Sequence, residues 1–153
     1  MRIAFDLDDT LIPGAYPFAT EPPPRGLLAW WLQPEPLRRG TVQLFRELWQ
    51  AGHEVWLYTT SLRKPLETKI AFYSYGARVR KVINDDIHRR HMSRLGNAFK
   101  SCTKYPPAFG IDVLIDDSEC VFLEGRQFGF ATILLRPEDD DWIHTVKSGL
   151  GME

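Results

Sequence analysis

Asp6, Asp8 and Asp9 stand within four residues of one another, directly behind the apolar run Ile3-Ala4-Phe5. A carboxylate withdrawn from water needs a cation or a proton to stay there, and a cluster needs more compensation still. The pattern returns at Asp116 and Asp117, again behind an apolar run, Val113-Leu114-Ile115. Brought together, the two acidic groups would form an oxygen-rich pocket for a hard cation. Magnesium suits such a pocket, because it takes few carboxylates and keeps waters or substrate phosphate as its other ligands. Turn or helix capping by Asp6 and Asp8 is the plainer reading, but it leaves the second acidic pair unexplained. An EF-hand is excluded: counted from Asp6, the sixth position is Leu11 instead of Gly and the twelfth is Pro17 instead of Glu.

To meet, these groups must be carried by neighbouring elements. Short apolar runs predict strands at 2–5, 54–58, 80–83, 112–115 and 131–135. Helical periodicity predicts helices at 37–51, where Val42, Phe45, Leu48 and Trp49 share one face before Gly52, and at 65–75, 86–100 and 119–128. Strands separated by helices make βαβ units, hence a parallel sheet with helices on both faces. The expected fold is α/β: a Rossmann-like three-layer sandwich with a five-stranded, mostly parallel sheet and a short flap after strand one. Ligands in such sheets bind beyond the carboxyl ends of the strands. Asp6 to Thr10, Thr59 to Ser61 and Asp116 to Ser118 should therefore face one crevice. Residues 11–36 are rich in proline and carry Tyr16, Phe18, Trp30 and Trp31. They break the strand-helix rhythm and read as a flap or minimal cap, since long irregular segments are usually functional. Residues 137–153 read as an acidic tail, led by Glu138 to Asp141.

The 153 residues are 44% hydrophobic and 25% charged, the profile of one ordinary globular domain spanning 1–153. No apolar stretch reaches the roughly 20 residues that cross a bilayer. The run after Met1 is broken at once by carboxylates, so no secretory signal is expected. Cys102 and Cys120 make no disulfide framework, and a cytoplasmic location follows as the expectation. The net charge of −1 hides a stretch at 78–104 with a local balance of +6. It reads either as a solvated helix face or as an electropositive rim that steers a phosphorylated substrate.

The residues now form a known series. IAFDLDDTL at 3–11 resembles the first motif of the haloacid dehalogenase-like (HAD) superfamily, an apolar strand followed by Asp-x-Asp-x-Thr. EVWLYTTS at 54–61 resembles the second motif, Lys104 in KYPPAFGID the third-motif lysine, and VLIDDSE at 113–119 the fourth. The resemblance covers about residues 1–136. It implies a magnesium-dependent phosphatase, a phosphoric monoester hydrolase working through a phosphoaspartate on Asp6. It further implies that Asp8 is the general acid and base and lends its carbonyl to the ion, and that Thr59, with Thr60 beside it, binds the phosphoryl group. Lys104 would screen charge, and Asp116 and Asp117 would complete the magnesium site with Asp6. Two departures stand out: the position near Val121, often acidic in relatives, is apolar, and Lys104 lies only twelve residues before Asp116. Lys100 is the alternative third-motif lysine.

A receiver-like phosphoacceptor shares the clustered acids, Thr and Lys, but its acceptor Asp would follow strand three, where Ile83-Asn84 stands. A catalytically idle binding module with this fold has no use for the second acid, Asp8. A dehalogenase works without metal and equally has no use for it. Asp9 reads as a capping or solvated neighbour, His88 and His91 as residues of a solvated helix face, and Cys102 as packing. The substrate is a phosphorylated small molecule or polymer end. Trp30, Trp31 and Tyr16 could stack on a base or sugar, which leaves nucleic acid open as a partner. A membrane partner is not expected, and oligomeric state is not legible.

Overall fold

The computed structural model describes residues 1–96 and 101–152. Five parallel strands form one sheet in the order β3-β2-β1-β4-β5. In chain order the elements are β1 (Arg2–Phe5), α1 (Leu27–Leu32), α2 (Thr41–Gln50), β2 (Glu54–Tyr58), α3 (Pro65–Ser74), β3 (Lys81–Ile83), α4 (Asp85–Met92), a 3-10 turn (Pro106–Phe109), β4 (Val113–Asp116), α5 (Glu119–Phe128), β5 (Ala131–Leu134) and α6 (Trp142–Gly149). The α/β class and the layered, Rossmann-like arrangement are as expected, and the sheet is parallel throughout.

Alternation along the strands builds the two cores. Ile3, Phe5, Val55, Leu57 and Ile115 point to one face, where Leu44, Phe45 and Leu48 of α2, Phe72 of α3 and Val146 of α6 cover them. Ala4, Trp56, Tyr58 and Leu114 point to the other, against Val121 of α5 and Ile87 of α4. The chain order reverses direction between β1 and β4, so these two central strands flank the switch point at which such sheets bind ligands.

Several boundaries differ from the sequence expectation. The helix expected over 37–51 begins only at Thr41, because Gly40 takes φ 92° and breaks the chain from the preceding turn. Its first amides are capped from the flap, with Gly40 N and Val42 N donating to Glu21 Oε1. The helix expected over 86–100 ends at Met92, and its last residues, 97–100, lie outside the described residues. The flap holds a short helix, α1, and its first half is pinned to the body where Arg39 N donates to Ala19 O and Glu21 N to Leu37 O. The expected acidic tail is instead structured: α6 buries Trp142 and Val146 in the core. Among the described residues no helix is long and apolar enough to cross a membrane.

Candidate active site at the tips of β1 and β4

Register alone brings the acids together. Phe5 pairs with Ile115, and Asp6 N continues the ladder by donating to Ile115 O at 2.9 Å. Asp6 and Asp116 thus leave adjacent strand tips side by side, with Asp117 one residue further on. Carboxylate oxygens of Asp6, Asp116 and Asp117 lie within 4.8 Å of one another. Lys104, itself buried, donates through Nζ to Asp6 Oδ1 and, at 2.6 Å, to Asp116 Oδ2. Of the two candidate lysines, Lys104 reaches the acids; Lys100 lies outside the described residues. Asp116 Oδ1 accepts from Ser118 N, and Asp117 Oδ1 accepts from Thr10 Oγ1. Among the described residues no hydrogen bond engages Asp6 Oδ2.

One ammonium cannot balance three carboxylates. Burial pushes the Asp6 carboxyl up to about 7; Lys104 works against the shift, while Asp116 and Asp117 add to it. Burial and the neighbouring Asp116 raise Asp117 as well. Burial opposes the charge on Lys104, but Asp6 and Asp116 outweigh it and hold the ammonium above its ordinary value. A divalent cation supplies the two missing positive charges, and the all-oxygen donors of Asp6, Asp116 and Asp117 fit a hard ion. Nothing in the donor set selects magnesium over another hard divalent ion.

Lys104 is held by contacts that sequence reading missed. Thr103 N and Oγ1 both donate to the Glu124 carboxylate of α5 at 2.9–3.0 Å. Tyr105 N donates to Tyr58 Oη at 3.0 Å, and the same oxygen shares a hydrogen bond of 2.6 Å with His88 Nδ1. His88 is therefore not on a solvated face: it is buried, and burial lowers its pKa. Glu124 and the Tyr58–His88 pair brace the segment carrying Lys104 on both sides. Cys102 is buried nearby and free, as packing required.

Thr59 is buried directly behind β2, where its hydroxyl donates to Ser61 Oγ and accepts from Ser61 N; Thr60 beside it is exposed. Asp9 is a turn organiser: with φ 59°, its Oδ1 accepts from Gly14 N and Tyr16 N, each at 3.0 Å. Trp30 and Trp31 project from α1 with 75% and 74% of their surface in solvent. Asp8 is gripped by Arg63, which donates to both its oxygens at 2.8 Å and to both oxygens of Glu35 in the flap. Arg63 also donates to Ser61 Oγ, so one guanidinium links strand tip, Asp8 and flap.

The basic stretch 78–104 is not one surface. Lys104 is buried at the acids, Arg89 pairs with Asp85 on α4, and Arg78 and Arg80 lie before β3 at the amino end of the sheet. No family model matches the chain, and a search of curated proteins finds no match.

Proposed function

We propose that this protein is a magnesium-dependent phosphomonoester hydrolase of the haloacid dehalogenase-like type, acting through a phosphoaspartyl intermediate on Asp6. The observation that carries the reading is the meeting of Asp6, Asp116 and Asp117 at adjacent strand tips with Lys104 donating to two of them. Capping explains one acidic group at one strand end; it does not explain two groups sharing a buried lysine.

The ordered residues suggest the following steps. Asp6 presents Oδ2 to phosphorus while Lys104 fixes Oδ1, so the carboxylate is aimed before substrate arrives. Attack forms the Asp6 O–P bond and breaks the ester P–O bond, and Asp8 gives its proton to the departing alkoxide. Water then attacks the same phosphorus with Asp8 as base, and inorganic phosphate leaves with Asp6 restored. The Thr59 hydroxyl, engaged with Ser61 in the free protein, turns to a phosphoryl oxygen. Lys104 stands where charge gathers on the transferring group. A divalent ion held by Asp6, Asp116 and Asp117, with the Asp8 carbonyl, would neutralise both the nucleophile and the phosphoryl oxygens. Arg63 must release Asp8 for the proton transfers, because the guanidinium already occupies both carboxylate oxygens.

That grip favours a second reading, a phosphoacceptor or binding module in which Asp6 takes a phosphoryl group and keeps it. The strand order argues against the receiver version, since receiver-like sheets run 2-1-3-4-5 and this one runs 3-2-1-4-5. Hydrolysis of p-nitrophenyl phosphate, compared with that of an alkyl phosphate, separates the readings. Turnover that needs magnesium, disappears in Asp6→Asn and collapses for poor leaving groups in Asp8→Asn supports the hydrolase. A single stoichiometric phosphorylation without turnover supports the acceptor, and full activity in excess chelator removes the metal from the account.

A further inference from the structure

Helix α3 is apolar on both sides. Its inner face buries Thr68 and Phe72 against the sheet. Its outer face repeats Leu66, Ile70 and Tyr73 at helical spacing, and Leu66 and Tyr73 leave 68% and 72% of their surface in solvent. An apolar stripe on a helix is normally turned inward. Here the outer stripe instead forms one wall of a groove of about 460 Å³, whose other wall is the 76–80 segment with Arg78 and Arg80. A second concavity of about 320 Å³, sharing Gly76 and Arg78, continues it past Trp49 and Arg46. Among the described residues that line the two, Arg46, Lys69, Arg78 and Arg80 are cations and none is a carboxylate.

Two of these cations are held in place. The Arg78 guanidinium stacks 4.1 Å above the Trp49 ring, whose Nε1 donates to Arg78 O at 2.7 Å. Lys69 Nζ donates to Arg80 O at 3.0 Å and ties the two walls together. Among the described residues, Arg80 is the one of these four cations within ion-pair distance of a carboxylate, Glu54, at 3.9 Å. Charges already ordered lose little entropy when a partner arrives.

We propose that this groove docks an acidic, amphipathic peptide segment of a partner protein. Apolar side chains of the segment would cover Leu66, Ile70 and Tyr73, and its carboxylates would meet Lys69, Arg78 and Arg46. This is the groove version of helix-stripe recognition, with charge setting orientation and encounter rate. A nucleic-acid strand fits less well: Leu66, Ile70 and Val79 are aliphatic, and of the two lining aromatics, Tyr73 and Trp49, the second is already covered by Arg78. The groove runs along α3, roughly 15 Å long for a helix of this length, from Leu66 near Arg63 to the amino end of the sheet. A segment bound there would leave the acid cluster open, so the inference stands apart from the catalytic reading.

The test is fluorescence anisotropy of the full chain at low salt with a labelled peptide of repeated Leu-Glu-Glu-Leu. The proposal expects saturable binding, weakened at least about tenfold by Lys69→Glu with Arg78→Glu and likewise by Tyr73→Asp. Reversal of two exposed cations elsewhere, Arg90→Glu with Arg94→Glu, should change affinity less than about twofold. Amide shifts of the unmutated chain titrated with the same peptide should cluster on α3 and 76–80, which guards against misfolded variants. No saturable binding overturns the proposal, as do equal losses in the Arg90 and Arg94 control and amide shifts centred elsewhere. Tighter binding of labelled oligothymidylate that depends on Lys69 and Arg78 replaces it with a nucleic-acid groove.

Discussion

Divalent-ion binding should stabilise this chain, and the stabilisation should be steeply pH-dependent for a reason visible at Asp6. The ion needs the ionised cluster, and Asp6 is half-protonated near pH 7. At pH 8.5, with magnesium at a hundred times its dissociation constant, linkage gives about 2.7 kcal/mol. In a chain of this size that is a rise in Tm of roughly 5–11 °C. At pH 5.5 only about one Asp6 in thirty is ionised, so the same magnesium stands at about three times the apparent constant and gives about 0.8 kcal/mol, or roughly 2–3 °C. Without the ion the slope has the opposite sense. Asp6, raised from 3.8 to about 7, binds a proton in the folded chain that the unfolded chain has already released. Folding stability therefore falls as pH rises through that window. Asp6→Asn should remove both slopes and raise the metal-free Tm at pH 8.5. Differential scanning fluorimetry across pH with magnesium or chelator reads all of this. A magnesium shift independent of pH, or one that survives in Asp6→Asn and Asp116→Asn, would refute the assignment of the cluster as a cation site.

Glu124→Gln should lower kcat on p-nitrophenyl phosphate roughly 10- to 100-fold, because a small displacement of Lys104 misaligns Asp6, while leaving the magnesium-induced Tm shift unchanged; loss of both would make Glu124 merely structural. Arg38 is buried and donates to the carbonyls of Thr10, Arg136, Pro137 and Asp139. Each buried acceptor left unpaired costs roughly 1–3 kcal/mol, so Arg38→Met should destabilise by more than about 3 kcal/mol in urea unfolding. Trp142→Ala should cost about 3–5 kcal/mol if α6 belongs to the core; a loss below about 1 kcal/mol would return 137–153 to the status of a tail.

The strands and the acid cluster were legible because both write themselves locally. Apolar runs such as Ile3-Ala4-Phe5 and Val113-Leu114-Ile115 end in carboxylates, and a parallel sheet turns strand ends into neighbours. What escaped is what depends on distant partners. Arg63 sits in a loop without periodicity, and its carboxylates are 28 and 55 residues away. Arg38 reads as a surface charge until four carbonyls and the rings of Phe18 and Trp142 surround it. His88 sits among arginines, which disguised a buried bond to Tyr58 made 30 residues upstream. Trp142 and Val146 stand at helical spacing, but the acidic run before them dominated the composition of the segment. The Glu124 brace had no local signal, since Thr103 is 21 residues away and on another element.

Asp6 as nucleophile is tested most directly by trapping the phosphoryl group. The Asp8→Asn chain, mixed with p-nitrophenyl phosphate and magnesium and quenched in acid, should carry one phosphoryl group on the peptide containing Asp6. That adduct should be discharged by hydroxylamine and be missing in excess chelator and in the Asp6→Asn, Asp8→Asn double variant. An adduct on another residue, or none while hydrolysis proceeds, would contradict the account.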